Sequence, residues 1–131
     1  MAILSILLAA LASFALGAAW YMMLAQPWMA ASGVAMGADG KPRNSDAPLP
    51  YLVSFVAMLI VAATMRYGFG LAGIDSAAGG FFGGVAIGAL FIAPWITLNT
   101  GYANRPWSLA VIDGGYATLG CAAMGLVLGL F

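Results

Sequence analysis

One aspartate inside an otherwise apolar segment is the residue that elementary chemistry singles out. Asp113 lies within the stretch from Leu109 to Phe131, with Tyr116 three positions and Ala117 four positions further on. On a helix, residues three and four apart share a face. The carboxylate, the phenol and a small-residue surface would therefore meet one packed neighbour rather than lipid. An ionisable group within a membrane span marks a proton acceptor or a contact for a cation or polar head group. The structural alternative is an early-helix aspartate held by the helix dipole, by Arg105 or by loop amides. Its depth, about 6 Å along the axis from Leu109 at 1.5 Å per residue, suits both readings.

Aromatic residues gather at the same end of the chain's apolar segments. Trp20 and Trp28 flank the end of the first, Trp95 lies late in the third, and Trp107 opens the fourth. If the segments alternate in direction, these positions share one membrane surface with Tyr21, Tyr51, Asn99, Tyr102, Asn104, Arg105 and Asp113. Tryptophan and tyrosine commonly anchor helices at the head-group level, but an ordinary aromatic belt occupies both faces. The one-sided distribution defines a candidate polar-aromatic site: Trp20, Tyr21, Trp95, Asn99, Arg105, Trp107, Asp113 and Tyr116. Within it, Asn99 and Arg105 have two readings, contact with an anionic lipid or substrate and a solvated loop.

Composition removes many other chemistries. The chain has no histidine, which excludes a Ser-His-Asp site, bis-histidine haem ligation and the common imidazole metal sites. Its one cysteine, Cys121, rules out an intrachain disulfide and falls among small residues expected to pack. The methionines form no soft-metal motif and suit apolar packing. Four basic residues balance four acidic ones, leaving no basic patch for nucleic acid. Asp75 and Asp113 belong to opposite faces, so no two-carboxylate mechanism can be assembled. No cofactor or metal is expected, and no reaction can be built from these residues.

The elements that must position the site are membrane helices. Of the 131 residues, 64% are hydrophobic and 6% charged, too few charges for the surface of a soluble domain of this length. Spans are expected at about 3–24, 51–67, 77–98 and 109–131, in one all-α membrane domain, a four-helix transmembrane bundle. The first would rise about 33 Å as a helix, enough for a hydrocarbon core of about 30 Å. It has no basic leader and exceeds a normal signal-peptide core. Residues 30–50, rich in glycine, proline and short polar residues, read as an exposed loop with a short interfacial turn near Trp28, and Pro27 ends the first span or restricts its exit. Gly68, Gly70 and Gly73 suggest a turn after the second span, and Asp75 or Ser76 a cap for the third. Pro94 should bend the third span unless it ends early. Asn99 to Trp107 reads as a polar connection.

Small residues recur every four positions in three spans: Ser5, Ala9, Ser13 and Gly17; Gly80, Gly84 and Gly88; Ala117, Cys121, Gly125 and Gly129. In lipid such faces permit close helix approach, within one chain or between copies. Four short helices suggest little internal volume, so a homo-oligomer or a partner membrane subunit is expected alongside lipid. Each half of the chain also carries a late tryptophan and then a Pro-Trp pair, a likeness that interface anchoring alone explains. Lys41, Arg43 and Arg105 outnumber Arg66 across the membrane, which puts the tryptophan-rich surface in the cytoplasm.

The segment Leu16-Gly17-Ala18-Ala19-Trp20-Tyr21, followed by Pro27-Trp28-Met29, resembles the opening of the bacterial and fungal membrane family called domain of unknown function 1761. Arg105-Pro106-Trp107, Val111-Ile112-Asp113-Gly114-Gly115-Tyr116 and Met124-Gly125 resemble its closing signature. Met22-Met23 stands where the family pattern leads one to expect a proline. The resemblance implies a small integral membrane protein and supplies no activity, cofactor or catalytic residue. The combined reading is a self-associating binding or transport-related module of the bacterial inner membrane. Its rival is a structural accessory subunit docked on a larger membrane complex, with a membrane-embedded enzyme third.

Overall fold

The computed structural model describes residues 1–131 and is helical throughout, without strands. Its helices are α1 (Ala2–Met23), α2 (Ala25–Ser32), α3 (Leu49–Ala72), α4 (Ala77–Ile87), α5 (Ala93–Tyr102) and α6 (Trp107–Leu128), with a π-helical turn at Gly88–Ile92 joining α4 to α5. Four stretches are long and apolar enough to cross a membrane: Ala2–Met23, Leu49–Ala72, Ala77–Tyr102 and Trp107–Leu128. The protein is an all-α integral membrane chain. Exposed hydroxyls on the spans find partners in their own helices: Ser54, Thr64 and Thr97 each donate to the carbonyl four residues back.

Several helix ends fall elsewhere than the sequence suggests, for one physical reason. Away from water, an interrupted helix exposes backbone groups that nothing else satisfies. Helix α1 ends at Met23, close to the expected bound of the first span. Helix α3 continues through Gly68 and Gly70, both expected in a turn, and stops only at Gly73, which takes the left-handed conformation with φ +67°. The third span carries on past Leu98 to Tyr102, so Asn99 is helical rather than part of a loop. Ser76 caps α4, its hydroxyl accepting from the Gly79 amide at 3.1 Å. Pro94 does not end the span. The Ala93 amide instead donates to the Gly88 carbonyl five residues back, and this widened turn lets the helix pass a residue without an amide proton.

Residues 25–32, partly assigned to a loop, form the two turns of α2, with Pro27 in the first turn, where its missing amide proton costs nothing. Gly33 ends α2 with φ +67°. It also has no room for a side chain, because the Arg105 guanidinium lies where its Cβ would be. The following loop is held by backbone bonds from Arg43 to Ala35 and from Gly37 to Lys41, both 2.8 Å. Tyr51 ties it to α3 by donating to the Ser45 carbonyl at 2.8 Å.

Helix α6 is the centre of the bundle and has the most buried residues. Helix α1 lies antiparallel along it, with Ser13 near Gly120 and Tyr21 near Asp113. On its other side runs α4. Gly80, Gly84 and Gly88 face Gly125, Cys121 and Ala117–Thr118, and a Cβ on Gly84 would fall 2.6 Å from the Cys121 carbonyl carbon. Helix α3 packs on α1, where Phe14 and Phe55 meet edge to face with centroids 5.8 Å apart. It reaches α6 chiefly at the end remote from Asp113. There Ala62, Met65 and Phe69 join Cys121, Met124 and Leu128 in the core, and Arg66 donates to the Leu128 carbonyl at 3.3 Å, a cation at a helix C-terminus. At the other end α3 and α5 make no contact. That gap contains the candidate site.

Candidate functional site

The gap is a cavity of about 1280 Å³. Its floor is α6 (Asp113, Tyr116, Ala117, Gly120, Cys121, Met124) and α1 (Ser13, Tyr21). One wall is Met58 and Val61 of α3, the other Ile92 and Ile96 of the third span. Trp28 of α2 and the loop residues Arg43, Asn44 and Ser45 cover the end at the membrane face.

The polar groups of the floor are ordered by direct bonds. Tyr21 donates its hydroxyl to Asp113 Oδ1 at 2.7 Å. This charge-assisted bond fixes the carboxylate's orientation, and the remaining lone pairs stay free to accept. Tyr116 donates to the Ser13 carbonyl at 3.0 Å, and the Ser13 hydroxyl lies 3.3 Å from the same phenol oxygen as the donor of that pair. The Tyr21 ring stands edge to face against both neighbours: Tyr116 at 5.4 Å and 73°, Trp28 at 6.0 Å and 79°. Each aromatic contact of this kind contributes about 0.5–1.5 kcal/mol beyond area burial. Tyr21, bonded to the carboxylate, thus joins both other rings in one aromatic cluster.

The chain reaches this geometry by simple register. Ser13, Gly17 and Tyr21 are spaced by four on α1, so all three turn to α6. Gly17 faces the Tyr116 ring, and a Cβ there would lie 2.8 Å from the ring carbon bearing the hydroxyl. Trp20, one position off, reaches past Gly115 and donates its indole N–H to the Ile112 carbonyl at 2.9 Å.

Of the residues singled out by sequence, Tyr21, Asp113 and Tyr116 converge on the cavity. Trp20 braces it from outside by its bond to Ile112. Trp95 and Trp107 are 67% and 63% exposed. Trp107 leans on Gly101 and, with Pro94 and Tyr102, edges a separate, shallower depression of about 680 Å³. Asn99 is exposed and lines neither space, and Arg105 lies over Gly33 rather than over Asp113. The cavity also has members that the sequence did not single out as site residues: Ser13, Trp28, Arg43, Asn44, Tyr51 and Met58. The Ser13–Gly17–Tyr21 spacing held the signal for Ser13. Nothing local in the sequence shows that the 34–46 loop folds back over the helices.

Fold and site together define a small integral membrane protein with a cavity built between its own helices at one membrane face. The chain belongs to the family described as "Protein of unknown function (DUF1761)", whose model matches residues 4–129. No curated protein and no solved structure matches it.

Proposed function

We propose that the protein is a binding or transport-related membrane module whose site is the cavity beside Asp113. The observation that carries this reading is the combination of volume and chemistry. Ligand pockets run to about 300–1,000 Å³ and are mostly apolar with a few placed polar groups. A space of about 1280 Å³ lies somewhat above that range, and its apolar lining around one hydrogen-bonded carboxylate matches the chemistry of such a pocket. Because α3 and α5 do not touch, the cavity is reached sideways from the bilayer as well as from the membrane face. The ligand is therefore an amphipathic molecule drawn from lipid. From Asp113 to Met124 the floor rises about 16 Å at 1.5 Å per residue, roughly half the hydrocarbon thickness, so the occupant spans one leaflet.

The site residues of this reading are Tyr21, Asp113 and Tyr116, with Trp20 as a brace; Trp95, Asn99, Arg105 and Trp107 serve as anchors at the membrane face, outside the cavity. In this reading the face is cytoplasmic, supported by the positive-inside count, and the membrane is a bacterial inner membrane. The small-residue stripes serve packing within the chain, since Gly80, Gly84 and Gly88 face α6. That use leaves them no surface for a second subunit and weighs against the accessory role. Self-association remains part of the proposal, though every residue lining the cavity comes from one protomer.

Purification from native membranes in mild detergent, followed by mass spectrometry of the intact assembly, tests the reading. A retained small molecule is expected with the wild-type chain and a clear fall in its occupancy with Asp113→Asn. Equal retention by both, with assembly unchanged, would remove Asp113 from the site. The same spectrum reads copy number and any foreign subunit.

A further inference from the structure

We propose that the cavity selects an ammonium group carried on an apolar chain: a lipophilic cation. The inference rests on the binding role argued above and names the ligand class of that site. Its basis is the presence of Asp113 with the rings of Tyr21, Tyr116 and Trp28 in the lining of one cavity.

Three features converge on positive charge. The carboxylate has one side-chain donor, Tyr21, and no basic side chain shares that contact. An ionised carboxylate in a largely apolar space calls for a cation, because a charge without a partner is costly there. Tyr21, Tyr116 and Trp28 line the same cavity as the carboxylate, Tyr21 packing edge to face with each of the other two. Aromatic faces attract an ammonium within about 6 Å of the centroid, and such cages are a recurrent means of recognising quaternary ammonium. Beyond this end the lining turns apolar through Met58, Ile92 and Ile96, which suits a hydrocarbon arm lying along the membrane normal. An anion would have its charge beside Asp113, and a neutral alcohol would leave the carboxylate uncompensated.

Arg43 sets the source of the ammonium. It lies exposed on the covering loop, at the same cavity's membrane-face end. A zwitterionic lipid head group would place its phosphate there and its ammonium at the cage. A free lipophilic cation would leave Arg43 unused.

The test uses the full chain in nanodiscs of phosphatidylglycerol, a lipid without ammonium, with empty discs as background. Displacement of radiolabelled octyltrimethylammonium by unlabelled octyltrimethylammonium, 1-octanol and octylphosphocholine gives the three affinities. The cation is expected to bind at least about tenfold more tightly than 1-octanol, with Asp113→Asn abolishing the preference and Asp113→Glu restoring part of it. Trp28→Leu should weaken cation binding roughly fivefold and leave 1-octanol unchanged. If octylphosphocholine shares the preference and Arg43→Ala weakens it alone, the source is a lipid head group; if its phosphate cancels the preference, the source is a free cation. Equal binding of cation and alcohol by the wild-type chain overturns the cation inference and leaves the binding role standing. A preference that survives in Asp113→Asn, with the melting temperature of the wild type, overturns it as well. No saturable binding of any probe above empty discs overturns both.

Discussion

The two flanks of α6 are built on opposite plans. Toward α4 its backbone meets backbone: Gly80 lies against Gly125 and Gly84 against Cys121, so closely that neither glycine has room for a methyl group. Toward α3 it meets large side chains at one end, Met65 and Phe69, and at the other a cavity crossed by Tyr116 as it approaches the Met58 sulfur at 3.6 Å. The difference teaches how four apolar helices can stay packed and still leave a cavity between them. In lipid, helices gain little from hiding apolar surface and associate through dispersion and interhelical hydrogen bonds. The glycine flank supplies the dispersion that keeps the third span on α6. Bonds from Trp20 to Ile112, Tyr21 to Asp113 and Tyr116 to Ser13 hold α1 to the same helix. With α6 gripped by both neighbours, α3 need close on it only at the remote end.

The sharpest way to break this contrast is to add bulk to the closed flank. At Gly84 even a Cβ would sit 2.9 Å from Ala122 Cα, so Gly84→Leu must push α4 away from α6. We expect a loss of at least about 3 kcal/mol, the upper range for overpacking, read as a collapse of the thermal transition or failure to purify as a single species. An unchanged melting temperature would show that the two helices need not approach closely.

The hydrogen-bonded flank should yield less. Trp20→Phe keeps an aromatic ring but removes the N–H that reaches the Ile112 carbonyl at 2.9 Å. Interhelical hydrogen bonds in membranes average about 0.6 kcal/mol and reach about 1.7, so a loss near 1 kcal/mol is expected in a denaturant titration. A larger loss would mean that Trp20 carries packing across Gly115 beyond its bond. Smaller still is the stability cost of bulk on the open flank. Val61 faces the cavity, and Val61→Phe extends into empty volume, at a cost below about 1 kcal/mol. Ligand retention should nevertheless fall, a separation of stability from binding that Gly84→Leu cannot give.

How much of this was legible in the sequence follows from the same contrast. The closed flank was written in the chain, since Gly80-Gly84-Gly88 and Cys121-Gly125-Gly129 are regular four-residue repeats, and regular spacing is what a helix converts into a face. The turn of Asp113 and Tyr116 toward one neighbour was legible on the same ground. The open flank was not. A cavity is a place where two elements fail to meet, and no residue type marks an absence. Its cover was hidden too, because the 34–46 loop gains its shape from backbone bonds such as Arg43 to Ala35, which any sequence with those turns can make. Helix ends misread for a related reason. Glycine and proline punctuate chains in water, yet Gly68, Gly70 and Pro94 all lie inside helices, since lipid offers no substitute partner for an interrupted backbone.

Glycine itself gives the finest test of that argument, because the same substitution should change sign between two positions. At Gly68 nothing lies within 4 Å of where a Cβ would be, and the residue is interior to α3. Alanine there restricts the unfolded chain and favours the helix, a gain of about 0.4–1 kcal/mol. At Gly84 the same methyl meets the Cys121 carbonyl and must destabilise. Measured together by thermal unfolding in one detergent, Gly68→Ala should raise the midpoint slightly and Gly84→Ala lower it by more. If both lower it, Gly68 faces a partner outside this chain, and the outer surface of α3 becomes an interface. If both leave it unchanged, the α4–α6 approach is looser than backbone contact, and the grip that lets α3 stand away from α5 must come from the hydrogen bonds of α1 alone.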